Sequence, residues 1–381
     1  MVIIMKRIVI APDSFKGTLS STEFCDIAEK VINRILPDAE VCKIPIADGG
    51  EGTADTFLYA LGGKRIYANT EDPLGRKINV PYALLPDGKT AVIETAAASG
   101  ITLVEDRKDP LAASSYGTGL LIKDALSKGC RKIILGLGGS ATTDGGSGIA
   151  EALGAAFYDS RSRKLRACGA VLSEIAEIDL TGLDPALAEC EFIVACDVDN
   201  PLFGPNGAAY VFAPQKGADK AACDILDKGL RNYAEKLFSV TGKAAARMAG
   251  AGAAGGILVS ILSLCSCQVT SGIELMLDVT GFDRLLCGAD LVITGEGKFD
   301  RQSLNGKVPI GIAAHTKAAG VPLAVLAGNT AEYGQEVYET GIVAVFNILN
   351  ANLPFEELKK TAAADLEKTL ENIFRFYCAF K

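Results

Sequence analysis

The chain has 381 residues and 49% of them are hydrophobic, so it is long enough for two or three domains with sizeable apolar cores. Its formal net charge is −8 at pH 7 and it has no long basic run, which argues against a nucleic acid or an anionic membrane surface as the partner. Composition therefore indicates a protein that binds a small molecule.

Short runs rich in β-branched residues predict buried, mostly parallel strands. In chain order these runs are RIVIA (7–11), VCKIPI (41–46), TAVIE (90–94), KIILGL (132–137), EFIVAC (191–196), DLVIT (290–294), PLAVLA (322–327) and VAVFNI (343–348). Helical patterns lie between many of them, as in TEFCDIAEKVINRIL (22–36) and AAHTKAAG (313–320), and a last helix is predicted from Phe355 onwards. Strands that alternate with helices predict an α/β fold with a mostly parallel sheet.

The middle of the chain is more irregular and richer in glycine than its two ends. Each end supplies regular strand–helix units, which is typical of one α/β domain interrupted by an insertion. We therefore predict a discontinuous domain formed by residues 1–72 and 288–381, and an inserted second domain formed by residues 73–287.

Apolar segments and cysteines favour a cytoplasmic protein. The N-terminal run MVIIMKR is short and precedes its charges, which is the reverse of a signal peptide. The longest uncharged stretch, 248–273, starts with glycines and continues with serines and cysteines, so it predicts a buried helix after a glycine loop. The 11 cysteines include no C-x-x-C pair, which is typical of core thiols in a reducing compartment and not of a zinc site.

The chain has a single histidine, His315, inside a predicted helix. A metal centre with several histidines is therefore impossible, and a serine hydrolase would depend on this residue alone. We expect a packing or surface role for His315. Any acid–base chemistry and metal binding would then depend on carboxylates and lysines.

The residues that directly follow the strands carry a common chemistry. Ligands of open parallel sheets bind at the carboxyl ends of the strands. The loops there are PDSFKGT (12–18), ADGGEGT (47–53), GGSATTDGGSG (138–148), DVDNPLFGPNG (197–207), GEGKFDRQSLNGK (295–307) and GNT (328–330). All but GNT combine glycine for close backbone approach with a carboxylate, and two of them also contain lysine. Phosphoryl transfer needs these groups, because N–H groups and lysines hold phosphates while carboxylates hold Mg²⁺ or activate the attacking hydroxyl.

No standard nucleotide signature occurs in its usual structural context. The pattern G-x-x-x-x-G-K-[ST] does not occur. Gly250, Gly252 and Gly255 match the dinucleotide pattern G-x-G-x-x-G, but the preceding TGKAAARMA does not resemble a strand. This loop is therefore either a tight turn before a helix or a bare backbone that approaches phosphate or substrate. In APQKGA (213–218), Gln215 and Lys216 are interpreted as part of a structured loop, with a catalytic role as the alternative.

Nine motifs in order resemble the bacterial glycerate kinases of the glycerate 2-kinase type. They are APDSFKGTLS (11–20), PIADGGEGT (45–53), AAASGI (96–101), SSYGTG (114–119), LGGSATTDGGSG (137–148), ACDVDNPLFGPNGA (195–208), APQKGA (213–218), GAGAAGG (250–256) and ITGEGKFDRQSLNGKVPIG (293–311). The resemblance implies ATP- and Mg²⁺-dependent phosphorylation of D-glycerate, most often to 2-phosphoglycerate. It also implies a discontinuous Rossmann- or flavodoxin-like domain with an inserted second α/β domain and an active site between them.

Roles follow from residue type and placement within these motifs. Asp197 is predicted to orient or deprotonate the glycerate hydroxyl, with Asp48 as the second choice and Lys16 as a further catalytic residue. The remaining assignments are Ser14, Ser140, Lys298 and Lys307 for glycerate, Gly138, Gly139, Thr142, Gly250, Gly252 and Gly255 for the nucleotide, and Glu51, Asp199, Glu296 and Asp300 for Mg²⁺. Because LGGSATTDGGSG contains no lysine, its positive charge must come from Mg²⁺ or from lysines on other loops.

Two other functions remain open from the residues alone. One is a protein that binds a small anion without turnover, although so many acidic residues would repel an anion unless a metal is bound. The other is an NAD-dependent 2-hydroxy-acid dehydrogenase, which would need a strand before the glycine pattern and usually a histidine base. No nucleic-acid or membrane partner is expected, and association of identical chains is left open.

Overall fold

The structure is a computed structural model, and it describes residues 5–15, 17–46, 49–50, 52–304, 308–349 and 355–379. The strands are β1 (Arg7–Ile10), β2 (Glu40–Lys43), β3 (Lys64–Glu71), β4 (Lys77–Leu84), β5 (Thr90–Glu94), β6 (Lys132–Gly136), β7 (Ala156–Tyr158), β8 (Lys164–Leu165), β9 (Glu177–Asp179), β10 (Glu191–Ala195), β11 (Ser266–Thr270), β12 (Leu291–Phe299), β13 (Leu323–Thr330) and β14 (Ile342–Asn347).

The α-helices are α1 (Ser21–Ile35), α2 (Thr53–Leu61), α3 (Thr95–Ser99), α4 (Tyr116–Ser127), α5 (Ser147–Ala152), α6 (Ala208–Phe212), α7 (Lys220–Thr241), α8 (Ile257–Leu264), α9 (Gly272–Thr280), α10 (Phe282–Leu286), α11 (Val308–Ala319), α12 (Glu336–Glu339) and α13 (Phe355–Cys378). Short 3₁₀ helices lie at Ile101–Val104, Gly169–Glu174, Pro185–Glu189, Pro214–Lys216, Ala245–Arg247, Ala253–Gly256 and Arg301–Leu304. No helix in this described part of the chain is long and apolar enough to cross a membrane.

The chain divides into two compact units, Met1–Asp48 with Ile273–Lys381 and Gly49–Gly272. The first unit contains a five-stranded sheet in the order β2-β1-β12-β13-β14, and all its strands are parallel. Counted within this unit, the order is second, first, third, fourth, fifth, which is the flavodoxin-like arrangement. The order of strands reverses between β1 and β12, so the loops after these two strands lie at the topological switch point.

Helix α1 shows how the first unit is built from local signals. Ser20 and Glu23 form a capping box, because the Ser20 Oγ accepts the Glu23 N–H and the Glu23 carboxylate accepts the Ser20 N–H. The apolar face of α1 then packs with α13 over the sheet, where Phe24 and Phe374 are fully buried. Local capping therefore starts the helix, and burial of one face fixes it.

The second unit contains a six-stranded sheet in the order β11-β10-β6-β5-β4-β3. β5, β6, β10 and β11 are parallel, whereas β3 and β4 are antiparallel. Helices α4, α5 and α8 bury their apolar residues against the alternate strand residues that face them, such as Leu135 and Val194. A small antiparallel sheet of β8, β7 and β9 packs with α7 in a second core, where Phe157 contacts Tyr233 edge to face.

Each predicted run is found as a strand, and the fold is mixed α/β with mostly parallel sheets, as expected. The boundaries of the units differ from the predicted ones. Residues 49–72 belong to the second unit because β3 pairs with β4 along its whole length. Residues 273–287 belong to the first unit, where Ile273 packs on Gly311 and α10 contacts α11. The stretch 248–273 is helical over α8, whereas its serine- and cysteine-rich end forms β11.

Candidate active site

The carboxyl ends of four parallel strands of the second unit lie side by side. Glu94 of β5 is opposite Gly136 of β6, which is opposite Ala195 of β10, which in turn is opposite Thr270 of β11. The chain leaves these strands through α3, the 137–148 loop, the segment 196–207 and Gly272. Motifs that are far apart in the sequence therefore meet at one edge of the sheet.

The Gly49–Gly50 backbone crosses the ends of β6 and β10. The Gly138 N–H donates to the Gly49 carbonyl oxygen at 3.1 Å. A side chain at Gly136 would overlap that carbonyl oxygen, and a Cβ at Gly138 would lie 2.6 Å from the Gly50 Cα. Glycine is therefore required here for backbone to meet backbone. The predicted residues Asp48 and Glu51, on either side of this crossing, lie outside the described residues.

A lysine from another loop reaches the 137–148 loop. Lys216 is 3% exposed, and its ammonium donates to the Ser140 Oγ at 3.0 Å and to the Thr142 carbonyl oxygen at 2.6 Å. Burial lowers the pKa of Lys216 to about 7, and the carboxylate of Asp144 acts in the opposite direction. Lys216 thus supplies the positive charge that the 137–148 loop lacks.

Asp144, the one carboxylate of the 137–148 loop, is fully buried. It accepts hydrogen bonds from the N–H and Oγ of Ser115, both at 2.8 Å, and from the N–H groups of Gly146 and Gly148. Burial raises the pKa of Asp144, while these donors stabilise its ionised form and pull the pKa down. Asp144 therefore ties the first turns of α4 and α5 to the loop, and this bonding gives it a structural role.

Three further hydroxyls of this loop are buried. The Oγ1 atoms of Thr142 and Thr143 and the Oγ of Ser147 have no hydrogen-bond partner among the described residues. Buried hydroxyls are normally paired, so an unpaired set is typical of a polar site and not of a packed core. The loop can offer these groups as donors to an anionic ligand.

The glycines of GAGAAGG support the neighbouring loops. The Gly252 N–H donates to the Asn200 carbonyl oxygen at 2.9 Å, and a Cβ at Gly250 would lie 2.7 Å from the Val198 carbonyl oxygen. A side chain at Gly255 would overlap the Thr142 carbonyl oxygen. These three predicted nucleotide-binding glycines thus pack against the 196–201 segment and the 137–148 loop, and their contact with a nucleotide stays a prediction.

Asp197 and Asp199 follow β10 and are both exposed. The Asp197 carboxylate accepts the N–H of Gly272, which lies just after β11, at 3.0 Å. This bond fixes Asp197 at the edge of the sheet. Val198, between the two aspartates, packs its backbone on Gly250. Asp197 is therefore positioned by backbone and accessible to solvent.

The first unit places four other predicted residues after β1, within β12 and directly after β12. Ser14 lies after β1, where its N–H donates to the Asp13 carboxylate at 2.7 Å. Glu296 is 5% exposed within β12. Lys298 and Asp300 form an ion pair at 2.9 Å, so a predicted substrate-binding cation and a predicted metal ligand partly neutralise each other. Lys16 and Lys307 lie outside the described residues.

The predicted magnesium ligands are divided between the units. Asp199 belongs to one unit, and Glu296 and Asp300 belong to the other. Within the ranges that the structure describes, no three histidine, cysteine, aspartate or glutamate side chains are grouped to hold a metal ion. Mg²⁺ commonly takes only one or two protein carboxylates and completes its shell with phosphate oxygens and water, so the carboxylates present fit this ion chemically.

The sequence predicts a packing or surface role for His315, and its side chain is 24% exposed. Its Nδ1 lies 2.6 Å from an Asp283 carboxylate oxygen, and its Nε2 lies 3.4 Å from one of Glu274. All three residues lie on helices of the first unit, α9, α10 and α11.

Comparison with known proteins identifies the family. The family model described as "Glycerate kinase family" matches residues 8–378. The chain belongs to the glycerate kinase family. The glycerate kinase of Bacillus subtilis is 42% identical to it over 368 residues, which cover 96% of each chain. The glycerate 2-kinase of Escherichia coli is also 42% identical over 368 residues, covering 96% of this chain and 97% of that one.

Structural comparison gives the same result. A crystal structure of a candidate glycerate kinase 2 from Salmonella typhimurium LT2 matches with a TM-score of 0.89 and 40% identity, covering 98% of this chain and 99% of that chain. The protein is therefore a kinase. The binder without turnover and the NAD-dependent dehydrogenase are set aside.

One residue, Lys216, contacts the 137–148 loop in a way that the sequence does not reveal. The sequence favours a structured loop at Lys216 over a catalytic role, and the structure brings this lysine to Ser140 and Thr142, 74 residues from the latter. A lysine in a motif of otherwise small and apolar residues, APQKGA, is the available signal. This motif does not show which residues the lysine contacts, because the partner of a buried lysine is set by tertiary structure.

Proposed function

We propose that the protein transfers the γ-phosphoryl group of ATP to the 2-hydroxyl of D-glycerate and forms 2-phosphoglycerate and ADP. The observation that carries this proposal is the full-length similarity to glycerate kinases, including the glycerate 2-kinase of Escherichia coli. The residues at the sheet edge of the second unit support it, because anion donors and an exposed carboxylate lie there together.

Asp197 is the proposed base. As the 2-hydroxyl oxygen attacks the γ-phosphorus, the hydroxyl proton passes to the Asp197 carboxylate, and the bond from the γ-phosphorus to the β,γ-bridging oxygen breaks to release ADP. The N–H of Gly272 holds one oxygen of this carboxylate in place. Such positioning lowers the entropic cost of proton transfer.

The 137–148 loop is the proposed anion cradle. Its backbone, the Ser140 hydroxyl and the buried threonine hydroxyls are donors, and Lys216 supplies charge. Mg²⁺, which neutralises phosphate charge when bound, remains part of the proposal with Glu51, Asp199, Glu296 and Asp300 as its candidate ligands. Asp48, Lys16, Ser14, Lys298 and Lys307 keep their proposed roles towards glycerate.

Product analysis by ³¹P NMR tests the proposal directly. The enzyme is incubated with ATP and MgCl₂ and with D-glycerate or L-glycerate, and parallel samples contain EDTA. We expect the resonance of 2-phosphoglycerate from D-glycerate only, and none with EDTA. The 3-phosphoglycerate resonance would correct the position of transfer, and ATP that persists with D-glycerate would reject the function.

Asp197→Asn tests the assigned base. The asparagine Oδ1 can still accept the Gly272 N–H, so the fold should persist. The amide cannot take the hydroxyl proton, so kcat should fall about 10²- to 10⁴-fold with little change in KM for ATP. Asp179→Asn at the end of β9, where the carboxylate bonds Thr181 in its own turn, is the matched control. Near-normal turnover of Asp197→Asn would refute the base assignment.

A further inference from the structure

We propose that Lys216 orients the Ser140 hydroxyl as a hydrogen-bond donor to a substrate oxyanion and is thereby a positioning residue of the active site. The inference rests on the proposed function, since the oxyanion is either the carboxylate of glycerate or a phosphate of ATP. It gives Lys216 a role that acts through Ser140 and not by direct contact with substrate.

The direction of the hydrogen bond carries the argument. Below its pKa of about 7 the Lys216 amine is an ammonium group with donors only, so the 3.0 Å contact between Lys216 Nζ and Ser140 Oγ must then use a lone pair of the serine oxygen. The second contact, to the Thr142 carbonyl oxygen, holds the ammonium in place. The Ser140 proton must then be donated away from Lys216. An acceptor of that proton is favoured if it is anionic, because the ammonium polarises the hydroxyl.

Lys216 and Ser140 are both buried, next to an exposed residue of the loop. Lys216 is 3% exposed and Ser140 is 7% exposed, and Gly139, directly before Ser140, is exposed. Both side chains are thus buried, and the loop backbone directly before Ser140 reaches the surface. Burying a cation costs free energy even when it has two fixed acceptors, and a purely apolar side chain of similar length would fill the same space. The buried charge therefore suits a role in binding an anion.

The neighbouring charge agrees with this arrangement. Asp144 is the carboxylate that acts on Lys216, and its own oxygens are occupied by Ser115, Gly146 and Gly148. It can stabilise the ammonium without withdrawing it from Ser140. Because burial lowers the pKa of Lys216 to about 7, the apparent KM for the oxyanion substrate should rise as pH increases above this value.

A double-mutant cycle tests the inference on the full chain. Lys216→Met, Ser140→Ala and the double variant are compared with wild type, and Lys220→Met, an exposed lysine at the start of α7, is the control. KM and kcat are measured separately for glycerate and for ATP, and direct binding of each is measured by calorimetry. Thermal unfolding checks that each variant is folded.

We expect each single variant to raise KM about 10- to 100-fold for one substrate, with a much smaller change in kcat. Glycerate as the affected substrate assigns the donor to its carboxylate, and ATP assigns it to a phosphate. The double variant should be no worse than Ser140→Ala, and the rise of KM with pH should be absent from Lys216→Met, from Ser140→Ala and from the double variant. Lys220→Met should behave as wild type.

The inference would be overturned if the fold increases in KM of the two single variants multiplied in the double variant. An unchanged KM in either single variant would also overturn it. If Lys216→Met does not fold, Ser140→Ala and Ser140→Thr decide instead, because titration of Lys216 should still make KM rise with pH in Ser140→Thr but not in Ser140→Ala. Only the threonine variant keeps a hydroxyl, so it alone should retain substrate affinity. If wild type fails to phosphorylate glycerate, the proposed function fails, and the calorimetric cycle with ATP then tests the inference by itself.

Discussion

His315 is the clearest titratable reporter at the scale of single residues. Burial lowers its pKa, but the carboxylates of Asp283 and Glu274 raise it more, so the pKa lies above the usual 6.5. For a histidine with a raised folded pKa, the stabilising interaction is fully present below the unfolded pKa. It is lost as pH rises through the folded pKa. Contact between helices α9, α10 and α11 should therefore weaken as the pH rises above 6.5 and through the folded pKa.

Proton NMR can measure this pKa without assignment work, because the chain has a single histidine. We expect the imidazole resonances to titrate above pH 6.5 in wild type and at a lower pH in Asp283→Asn. Asp278→Asn, an exposed residue of α9, is the control and should leave the titration unchanged. A wild-type pKa below 6.5 would contradict the arrangement of carboxylates around His315.

Single residues also mark the limit of prediction from sequence. The motif positions of Ser140, Thr142 and Asp197 are recognisable from residue type, since loops after strands carry function in parallel sheets. The partners are not recognisable, because Lys216 and Asp144 act over long sequence separations. Whether a buried lysine or aspartate is structural or functional depends on which donors and acceptors the fold brings to it.

At the scale of elements, the GAGAAGG turn before α8 controls the 137–148 loop. Gly255 has φ 72°, and a side chain there would overlap the Thr142 carbonyl oxygen. Gly242, after α7, has nearly the same φ of 69°, but a Cβ there would meet nothing within 4 Å. Substitutions at Gly242 and Gly255 therefore separate the free-energy cost of a left-handed backbone from the free-energy cost of steric overlap with a neighbouring loop.

Gly242→Ala should lower the free energy of unfolding by about 1–2 kcal/mol, which is the cost of the left-handed conformation alone. Gly255→Ala should lower it by at least ~3 kcal/mol, because the loop at Thr142 must also move. Urea denaturation measures both, and a kinase assay at matched folded fraction should show lost activity for Gly255→Ala only. Equal destabilisation of the two variants would show that the 137–148 loop can move away from the new side chain at little cost in free energy.

The predictable elements are those with continuous apolar runs. Buried parallel strands such as β6 and β10 are apolar on both faces, so they stand out in the sequence. β3 and β4 escape prediction because they form an antiparallel pair at the edge of the sheet, where exposed and buried residues alternate among charges. The short β11 resembles a helical continuation in sequence because it directly follows the apolar α8.

At the scale of the whole molecule, the second unit has its own cores. The two clusters around Phe192 and around Tyr233 contain only residues of Gly49–Gly272. A domain with a complete core and its own hydrogen-bonded sheet can fold alone. The first unit is built from two distant segments and needs both of them.

A fragment of residues 49–272 should therefore unfold cooperatively in urea. A fragment of residues 73–287, with the boundaries predicted from the sequence, should be much less stable. It lacks β3 and α2, and it carries the apolar residues of α9 and α10 without their partners. Circular dichroism and urea titration measure both fragments. Equal stability of the two would contradict the division of the chain at 48/49 and 272/273.

The backbone crossing at Gly49 and Gly50 also limits how the sequence of this protein can diverge. A side chain at Gly136 or Gly138 is incompatible with the crossing segment, whatever the protein binds. Substitution at one of these sites would have to be accompanied by a shift of the other segment. In a set of related sequences the four glycines should thus vary together or remain fixed together. Such covariation would result from van der Waals contact between two chain segments, although the glycines by themselves resemble a phosphate-binding motif.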